Sequence, residues 1–266
     1  MADATITGLF VYPVKSFGGI ALSESAVEKR GLKHDRRWML VDEDGLFMTQ
    51  RTDTRLALFR TAIEIGELRI TSHTGEERCV PFEARGKKRV VRIWKDTCEG
   101  VQVCEELDAW LSGQLGTRCS LIYMPDEMIR STNPEFTIPG DMVGFADGYP
   151  VLVVGESSLA ELNSKLDAPL PMNRFRANIT VKGWEPHEED GWRKLRVGNL
   201  TLRAAKQCAR CSVPATDQET GEVGVEPLRA LAKYRLKDQK IYFGAYYVPE
   251  QCGTLRVGDT IVGNEG

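Results

Sequence analysis

Short segments in which apolar and polar residues alternate dominate both halves of the chain, with glycine and charged residues between them. Alternation with a period of two is typical of strands that bury one face. The first such segment, residues 6–12, should end at Pro13, because proline donates no ladder hydrogen bond and restricts the residue before it. Other predicted strands are LRIT, VVRIW, GVQV, SLIYM, PVLVVG, ANITVKGW, IYFGAYYV and TLRVGDTIVG. This spacing predicts a β barrel or sandwich.

A hairpin is predicted in the segment DRRWMLVDEDGLFMTQ. Residues 38–41 would form the first strand and residues 42–45 the turn, since aspartate and glycine favour tight turns. Residues 46–49 would then return as the second strand.

Three segments have helical periodicity. In CEELDAWLSGQLG, apolar residues recur every three or four positions, and Gly116 occupies the position of a C-terminal cap. ESSLAELNSKL is the second predicted helix, with Ser157 as its N-cap, and EPLRALAKYR is the third. Residues 125–141 begin at a proline, contain Pro134 and Pro139 and have little apolar periodicity, which predicts a surface loop. The predicted fold class is therefore mainly β with some helices (α+β).

Composition narrows the functional classes. The 266 residues fit one large or two small domains, and 35 Lys and Arg nearly balance 38 Asp and Glu. This balance lacks the basic excess that phosphate-backbone binding needs, so nucleic acid is not an expected partner. No apolar run is long enough for a membrane helix, and the first residues do not resemble an export signal. We therefore predict a cytoplasmic location and no membrane partner.

The cysteine and histidine residues limit the possible metal chemistry. Seven cysteines are an odd number, spread thinly over a long chain, so free thiols are expected instead of a disulfide framework. The three histidines, His34, His73 and His187, are far apart in sequence, which disfavours a zinc site rich in histidine. A metal would bind through sulfur or as part of a cofactor.

Cys208 and Cys211 form a C-x-x-C motif flanked by Lys206 and Arg210, whose positive charges favour the thiolate. Four interpretations remain open. A structural zinc site requires four ligands, and the sequence has no second pair of zinc ligands at a suitable spacing. A thioredoxin-like dithiol needs a helix N-terminus, whereas residues 212–214 should continue extended. The cysteines could also be small core residues, or one could be a soft ligand to a metal held by a cofactor.

Basic and amide side chains recur at predicted strand ends. Arginine binds phosphate or carboxylate oxygens in a bidentate manner, and lysine acts as a point charge. If these side chains converged, they would suit an anionic, polar heterocyclic ligand, although each one alone would more simply be a solvated charge. They are Lys15, Ser16, Arg36, Arg37, Arg174, Arg176 and Asn178.

Nine segments follow one another along the chain in the order of one known family: YPVKS, DRRWMLVD, DGYPVLVV, ESSLAELN, NRFRANITV, WRKLRVGNLTLRAAKQCARC, ATDQETG, FGAYYV and LRVGDTIVG. Through them the chain resembles the MOSC family, named after the C-terminal domain of molybdenum cofactor sulfurase, and within it the amidoxime-reducing and YcbX-like proteins. The resemblance implies a MOSC N-terminal β-barrel-like domain at residues 1–122 and a MOSC β-barrel domain at residues 123–266.

The resemblance also implies a molybdenum cofactor, the metal bound to molybdopterin, in a cleft between the two domains. Cys211 would be the metal ligand, and Asp217 would relay a proton, unless it is a turn residue that bonds its own backbone. Gly148 and Tyr149 stand where the amidoxime reducers have two small hydroxyl residues, so hydroxyl contacts are lost there. The implied cofactor contacts are Lys15, Ser16, Arg36, Asp147, Gly148, Tyr149, Arg176, Asn178, Arg210, Cys211 and Tyr246.

The implied activity is the reduction of small N-hydroxylated compounds such as amidoximes, hydroxylamines or N-hydroxylated nucleobases. The sequence has no C-x4-C-x2-C run for an iron–sulfur cluster, so a separate ferredoxin- or flavin-type reductase would supply the electrons. The alternative is a cofactor carrier or a sulfur-transfer module with a persulfide on Cys211. A third possibility, a dithiol redox protein, requires Cys208 to matter as much as Cys211.

Overall fold

The computed structural model describes residues 4–84 and 86–264. Strand accounts for 40% of the chain and helix for 15%, which confirms the mainly β class. The strands are β1 (Ala4–Val11), β2 (Ile20–Leu22), β3 (Glu24–Glu28), β4 (Gly31–Leu32), β5 (Trp38–Val41), β6 (Arg60–Ile63), β7 (Glu67–Thr71), β8 (Glu77–Pro81), β9 (Lys88–Ile93), β10 (Asp96–Gln102), β11 (Ser120–Tyr123), β12 (Val151–Gly155), β13 (Ile179–Lys182), β14 (Lys194–Val197), β15 (Leu200–Ala209), β16 (Leu236–Lys237), β17 (Lys240–Pro249), β18 (Gly253–Arg256) and β19 (Thr260–Asn264).

The helices are few and short. The α-helices are α1 (Glu105–Leu115), α2 (Glu156–Asn163) and α3 (Leu228–Ala232), and the 3-10 segments are Thr54–Leu58, Met172–Phe175, Glu188–Asp190 and Val213–Ala215.

Seven strands form a closed barrel in the order β12, β13, β1, β19, β14, β15 and β17, and pairing of β17 with β12 closes it. The pairings are antiparallel except between β12 and β13. Buried residues alternate along β1, as its period of two predicts, except that Gly8 and Leu9 are both buried beside an irregularity in its pairing with β13. Their side chains, among them Leu9, pack inside the barrel with apolar residues of the other strands, such as Val153, Ile179, Leu195, Leu202 and Tyr247.

The rest of the N-terminal half builds a second core around α1. A four-stranded sheet has the order β5, β11, β10, β9, and β6, β7 and β8 form a three-stranded one. Leu107, Leu111 and Leu115 are spaced four residues apart on α1, so one face of the helix packs into this core with Trp38. Gly116 caps α1 as predicted, with a φ of 63° and its N–H donating to Ser112 O.

Hydrogen-bonded sheets connect the two ends of the chain. β1 is a barrel strand that pairs with β13 and β19, and β18 pairs with β3. The predicted domain division between residues 122 and 123 stays a prediction, and the sheets themselves cross it.

The hairpin at residues 38–49 is only partly formed. The Asp42 N–H donates to Leu46 O, and the Met48 N–H donates to Leu40 O, so the chain does turn back. However, residues 46–49 form no strand, because the Phe47 N–H donates across to Arg92 O instead. The strand that pairs with β5 along its whole length is β11.

The predicted N-cap of α2 is wrong. The helix begins at Glu156 with Gly155 as N-cap, so Ser157 lies inside its first turn. No side chain caps the helix, and the start of the helix is bound instead by the buried Glu189 carboxylate, which accepts hydrogen bonds from the Gly155 N–H and from the Ser158 hydroxyl. The predicted loop at residues 125–141 contains no helix or strand.

Candidate functional site

A cleft of about 780 Å³, including open solvent at its mouth, lies at one end of the barrel. The strand directions explain why polar residues meet there. β1 and β13 are antiparallel, so residues that follow β1 lie beside residues that precede β13, and β12 begins next to β13 because those two strands are parallel. The lining residues are Lys15, Ser16, Arg36, Thr49, Gln50, Arg51, Ala146, Asp147, Tyr149, Leu152, Phe175, Arg176, Asn178, Cys208, Ala209, Arg210, Cys211, Val213 and Tyr246.

The cleft brings together most of the residues that the sequence suggested. Gly148 is the one implied cofactor contact that does not line it, although both of its neighbours do. Asp217 also lies outside the lining. The residues that do line it are Lys15, Ser16, Arg36, Asp147, Tyr149, Arg176, Asn178, Arg210, Cys211 and Tyr246.

The Asp147 carboxylate joins three side chains at the cleft. It accepts hydrogen bonds from Lys15 Nζ at 2.5 Å, from Arg51 Nη2 at 2.7 Å and from Trp94 Nε1 at 3.3 Å. Burial alone would raise the pKa of Asp147, but Lys15 and Arg51 outweigh it and hold the pKa below its usual range. Burial also lowers the pKa of Lys15 to about 8, although Asp147 acts in the opposite direction. At neutral pH this cluster is ionic.

A second cluster surrounds Asn178. Arg36 Nη1 donates to the buried Asp35 carboxylate at 2.5 Å and to Asn178 Oδ1 at 3.2 Å. Arg176 Nη1 donates to Phe17 O at 2.7 Å, but its buried Nη2 has no hydrogen-bond partner among the described residues. Burial and the neighbouring Arg36 charge lower the pKa of Arg176 to about 10. The cluster therefore presents a donor that a bound anion could satisfy.

Three of the cleft residues have left-handed backbones. The φ angles of Ser16, Arg36 and Arg176 are 72°, 48° and 55°. Residues other than glycine seldom adopt this region, and such strain is concentrated at functional sites. The surrounding hydrogen bonds thus hold these side chains in positions that the local sequence does not favour.

The two cysteines of the C-x-x-C motif have different surroundings. Cys208, near the end of β15, is buried, and its sulfur accepts a hydrogen bond from Arg210 Nη1 at 3.0 Å. Cys211 is partly exposed in the cleft, near the Arg51 guanidinium. The expectation that residues 212–214 continue extended is wrong, because the chain turns into the single 3-10 turn Val213–Ala215.

Asp217 occupies a turn. Its carboxylate accepts hydrogen bonds from the backbone N–H groups of Glu219 and Thr220, at 2.8 and 3.0 Å, and from Arg174 Nη2 at 2.8 Å. The backbone bonds are the main reason that its pKa is lowered. Its proposed role as a proton relay stays a prediction, and its contacts are those of a turn residue.

Sequence reasoning missed the contribution of residues 49–51. Gln50 and Gln218 are both buried, and their side-chain amides exchange two hydrogen bonds of 3.1 Å. Gln50 Nε2 also donates to Ser16 O at 2.6 Å. The signal was available, because Gln50 and Arg51 are polar residues at the end of a predicted strand, as Lys15 and Ser16 are.

Within residues 4–84 and 86–264, no group of three or more His, Cys, Asp or Glu side chains is arranged to hold a metal ion. In the same part of the chain, no helix has the length and apolar character needed to cross a membrane.

The chain belongs to the MOSC family. Residues 3–118 match the MOSC N-terminal beta barrel domain and residues 141–262 match the MOSC domain. Its relatives include mitochondrial amidoxime reducing component 2 of Rattus norvegicus, 29% identical over 97% of this chain and 82% of the relative. Mitochondrial amidoxime-reducing component 1 of Homo sapiens is 29% identical with the same coverage, and that of Mus musculus is 30% identical over 97% of this chain and 81% of the relative. The resemblance inferred from sequence is thereby confirmed, whereas the cytoplasmic location stays a prediction.

Proposed function

We propose that this protein reduces small N-hydroxylated compounds by means of a molybdenum cofactor bound in the cleft, with electrons from a separate ferredoxin- or flavin-type protein. The observation that carries the proposal is the convergence of basic side chains and one accessible thiol, Cys211, in a single cleft. The names of the curated relatives, which are amidoxime-reducing components, point to the same substrate class.

The charges and donors of the cleft fit a phosphate-bearing pterin. Arg36, Arg176 and Arg210 supply guanidinium groups, and Ser16 supplies a hydroxyl. Charge-assisted hydrogen bonds to phosphate are among the strongest that side chains make. The unpartnered Nη2 of Arg176 is a buried donor that such an anion would satisfy.

The thiol fits a metal that brings most of its own ligands. Because no described cluster of side chains could hold a metal alone, Cys211 would add one thiolate to a metal already bound by the cofactor's sulfurs. When bound, a molybdenum cofactor supplies two-electron reduction with removal of the substrate's oxygen, and the protein supplies binding and orientation.

The remaining side chains hold protons and shape the pocket. Reduction of an N–OH group to N–H consumes two electrons and two protons and releases water. Lys15 holds a proton on Nζ at neutral pH, because its pKa is about 8. Tyr149 and Tyr246, whose ring centroids are 5.2 Å apart, form an aromatic wall on one side of the cleft.

The test is to measure molybdenum and pterin per chain, and then benzamidoxime reduction with methyl viologen as electron donor. We expect near-stoichiometric cofactor and turnover in protein from a competent host, and neither in protein from a host blocked in cofactor synthesis. A loaded protein that reduces no N-hydroxylated compound would contradict the proposal and favour a cofactor carrier. A persulfide on Cys211 without molybdenum would favour sulfur transfer.

A further inference from the structure

Trp94 is a large aromatic side chain at the cleft that cofactor binding does not explain. It lies in the turn between β9 and β10 with a left-handed backbone, φ 55°, and half of its surface is exposed. A bulky residue rarely adopts this conformation, and an exposed indole contributes little to folding. The two-residue turn between Ile93 and Asp96 accounts for the positive φ, but such turns favour glycine or asparagine at this position, so the turn does not explain the tryptophan side chain.

Three contacts hold the indole at the rim of the cleft. Its Nε1 donates to Asp147 at 3.3 Å, and the Arg51 guanidinium lies 4.6 Å from the ring centroid. The Phe47 ring meets it edge-on, with centroids 4.8 Å apart. Asp147 and Arg51 line the cleft, and Arg51 is also close to Cys211. Arg51 therefore lies against the indole and close to the thiol.

We propose that the accessible part of the Trp94 ring stacks on the planar, aromatic portion of N-hydroxylated substrates. Trp94 is then the residue that selects aromatic amidoximes over small aliphatic ones. An indole offers a wide π surface, and its contacts with Phe47, Arg51 and Asp147 fix its orientation before the substrate arrives. This inference rests on the proposed function and adds a substrate class to it.

The experiment compares benzamidoxime with acetamidoxime, using reduced methyl viologen as donor, in the holoenzyme and in Trp94→Ala and Trp94→Phe. The phenylalanine variant keeps an aromatic ring but loses the hydrogen bond to Asp147. It therefore separates the effect of the ring from the effect of that hydrogen bond. Trp110→Ala is the matched control, because Trp110 makes similar contacts away from the cleft. Its Nε1 donates to Glu76 at 3.0 Å, and Arg78 lies 5.2 Å from its ring.

We expect Trp94→Ala to raise the KM for benzamidoxime about three- to tenfold, with kcat nearly unchanged, which is the range of one aromatic stacking contact. The KM for acetamidoxime should stay the same, and Trp94→Phe and Trp110→Ala should remain within about twofold of wild type. Calorimetry should give the same pattern for the products, with weaker binding of benzamidine and unchanged binding of acetamidine.

Equal changes for both substrates would overturn the inference. A rate that falls for both substrates with reduced ferredoxin, but not with methyl viologen, would also overturn it and assign Trp94 to docking of the electron donor. If the wild-type holoenzyme reduces neither amidoxime but does reduce another N-hydroxylated compound, this inference is overturned; if it reduces no N-hydroxylated compound, the proposed function itself fails. If wild type and Trp94→Ala reduce both amidoximes with the same substrate preference, this inference alone is overturned.

Discussion

Arg36 and Arg176 place their guanidinium groups on the same aromatic ring, 4.3 and 4.2 Å from the centroid of Tyr12. Tyr12 is buried, and its hydroxyl donates to Ala177 O, so the ring is fixed between the ends of β1 and β13. The buried Asp35 carboxylate pairs with Arg36 alone. The guanidinium group of Arg176 therefore has no carboxylate partner among the described residues. A bound anion would relieve the repulsion between the positive charges of Arg36 and Arg176.

This arrangement predicts that Arg176→Ala lowers cofactor retention. A charge-assisted hydrogen bond contributes about 1.5–3 kcal/mol, so the variant should retain the cofactor about ten- to a hundredfold less tightly. The cofactor retention of Arg176→Lys should fall between that of Arg176→Ala and that of wild type, because lysine keeps the positive charge but loses the bidentate geometry. Molybdenum and pterin per chain after dialysis provide the measurement. Equal cofactor content in wild type and Arg176→Ala would refute the role of this residue.

The two cysteines should differ in their effects. Cys211→Ser should abolish reductase activity and leave the melting temperature nearly unchanged, because the side chain is small and partly exposed. Cys208→Ser should keep most of the activity per bound cofactor, since a hydroxyl can still accept the hydrogen bond from Arg210. If Cys208→Ser removed activity as completely as Cys211→Ser, the single-ligand assignment would be wrong and a dithiol mechanism would be favoured.

Asp147→Asn should destabilise the protein in a pH-dependent way. The pKa of Asp147 is held below its usual range in the folded state, so its stabilisation is complete above the ordinary value of about 4 and decreases as the pH falls below it. We expect a cost of about 1–2 kcal/mol at pH 7, less than for a fully buried pair because the side chain is 40% exposed. Urea unfolding at pH 7 and pH 3 should show this cost shrinking at the lower pH.

Asp126→Asn is the control for that experiment. Asp126 also has a lowered pKa and pairs with Arg37 at 2.6 Å, but it is 87% exposed, so its replacement should change stability by only a few tenths of a kcal/mol. A pH-independent cost for Asp147→Asn would mean that packing, and not charge, explains its effect.

The amide pair of Gln50 and Gln218 should show strong coupling in a double-mutant cycle. Each alanine variant removes both hydrogen bonds between the two amides and leaves the partner amide buried with only part of its hydrogen bonds, at a cost of about 1–3 kcal/mol. The double variant should cost about 1 kcal/mol less than the sum, because both amides are then removed. Urea unfolding of the four proteins measures the coupling. Additive effects would show that the two side chains act independently.

Sequence patterns predicted correctly those elements whose limits are set by residues close to them in sequence. The spacing of Leu107, Leu111 and Leu115 and the glycine after them defined α1, and Pro13 correctly marked the end of the first strand. The N-cap of α2 was missed because the groups of its first turn are bound by Glu189, more than thirty residues away. No local pattern indicates such an acceptor.

Much of the candidate site could be inferred from sequence, because strand-end polar residues and the family resemblance pointed to Lys15, Arg36 and Arg176. The structure adds their partners. Arg51 and Trp94 meet Asp147 only because the turn after β9 and the segment after residue 49 approach the start of β12 in three dimensions. Sequence spacing carries no information on such convergence.

The position of β1 has a consequence for synthesis of the chain. Its barrel partners β13 and β19 lie about 170 and 250 residues later in the chain. The barrel therefore cannot close until β19 has been made, although the end of β1 can pair with β2 before that. Lys15 and Ser16, just beyond β1, can meet the cleft residues of β15 and β17 only after those strands have been made, so cofactor loading should follow the synthesis of β17.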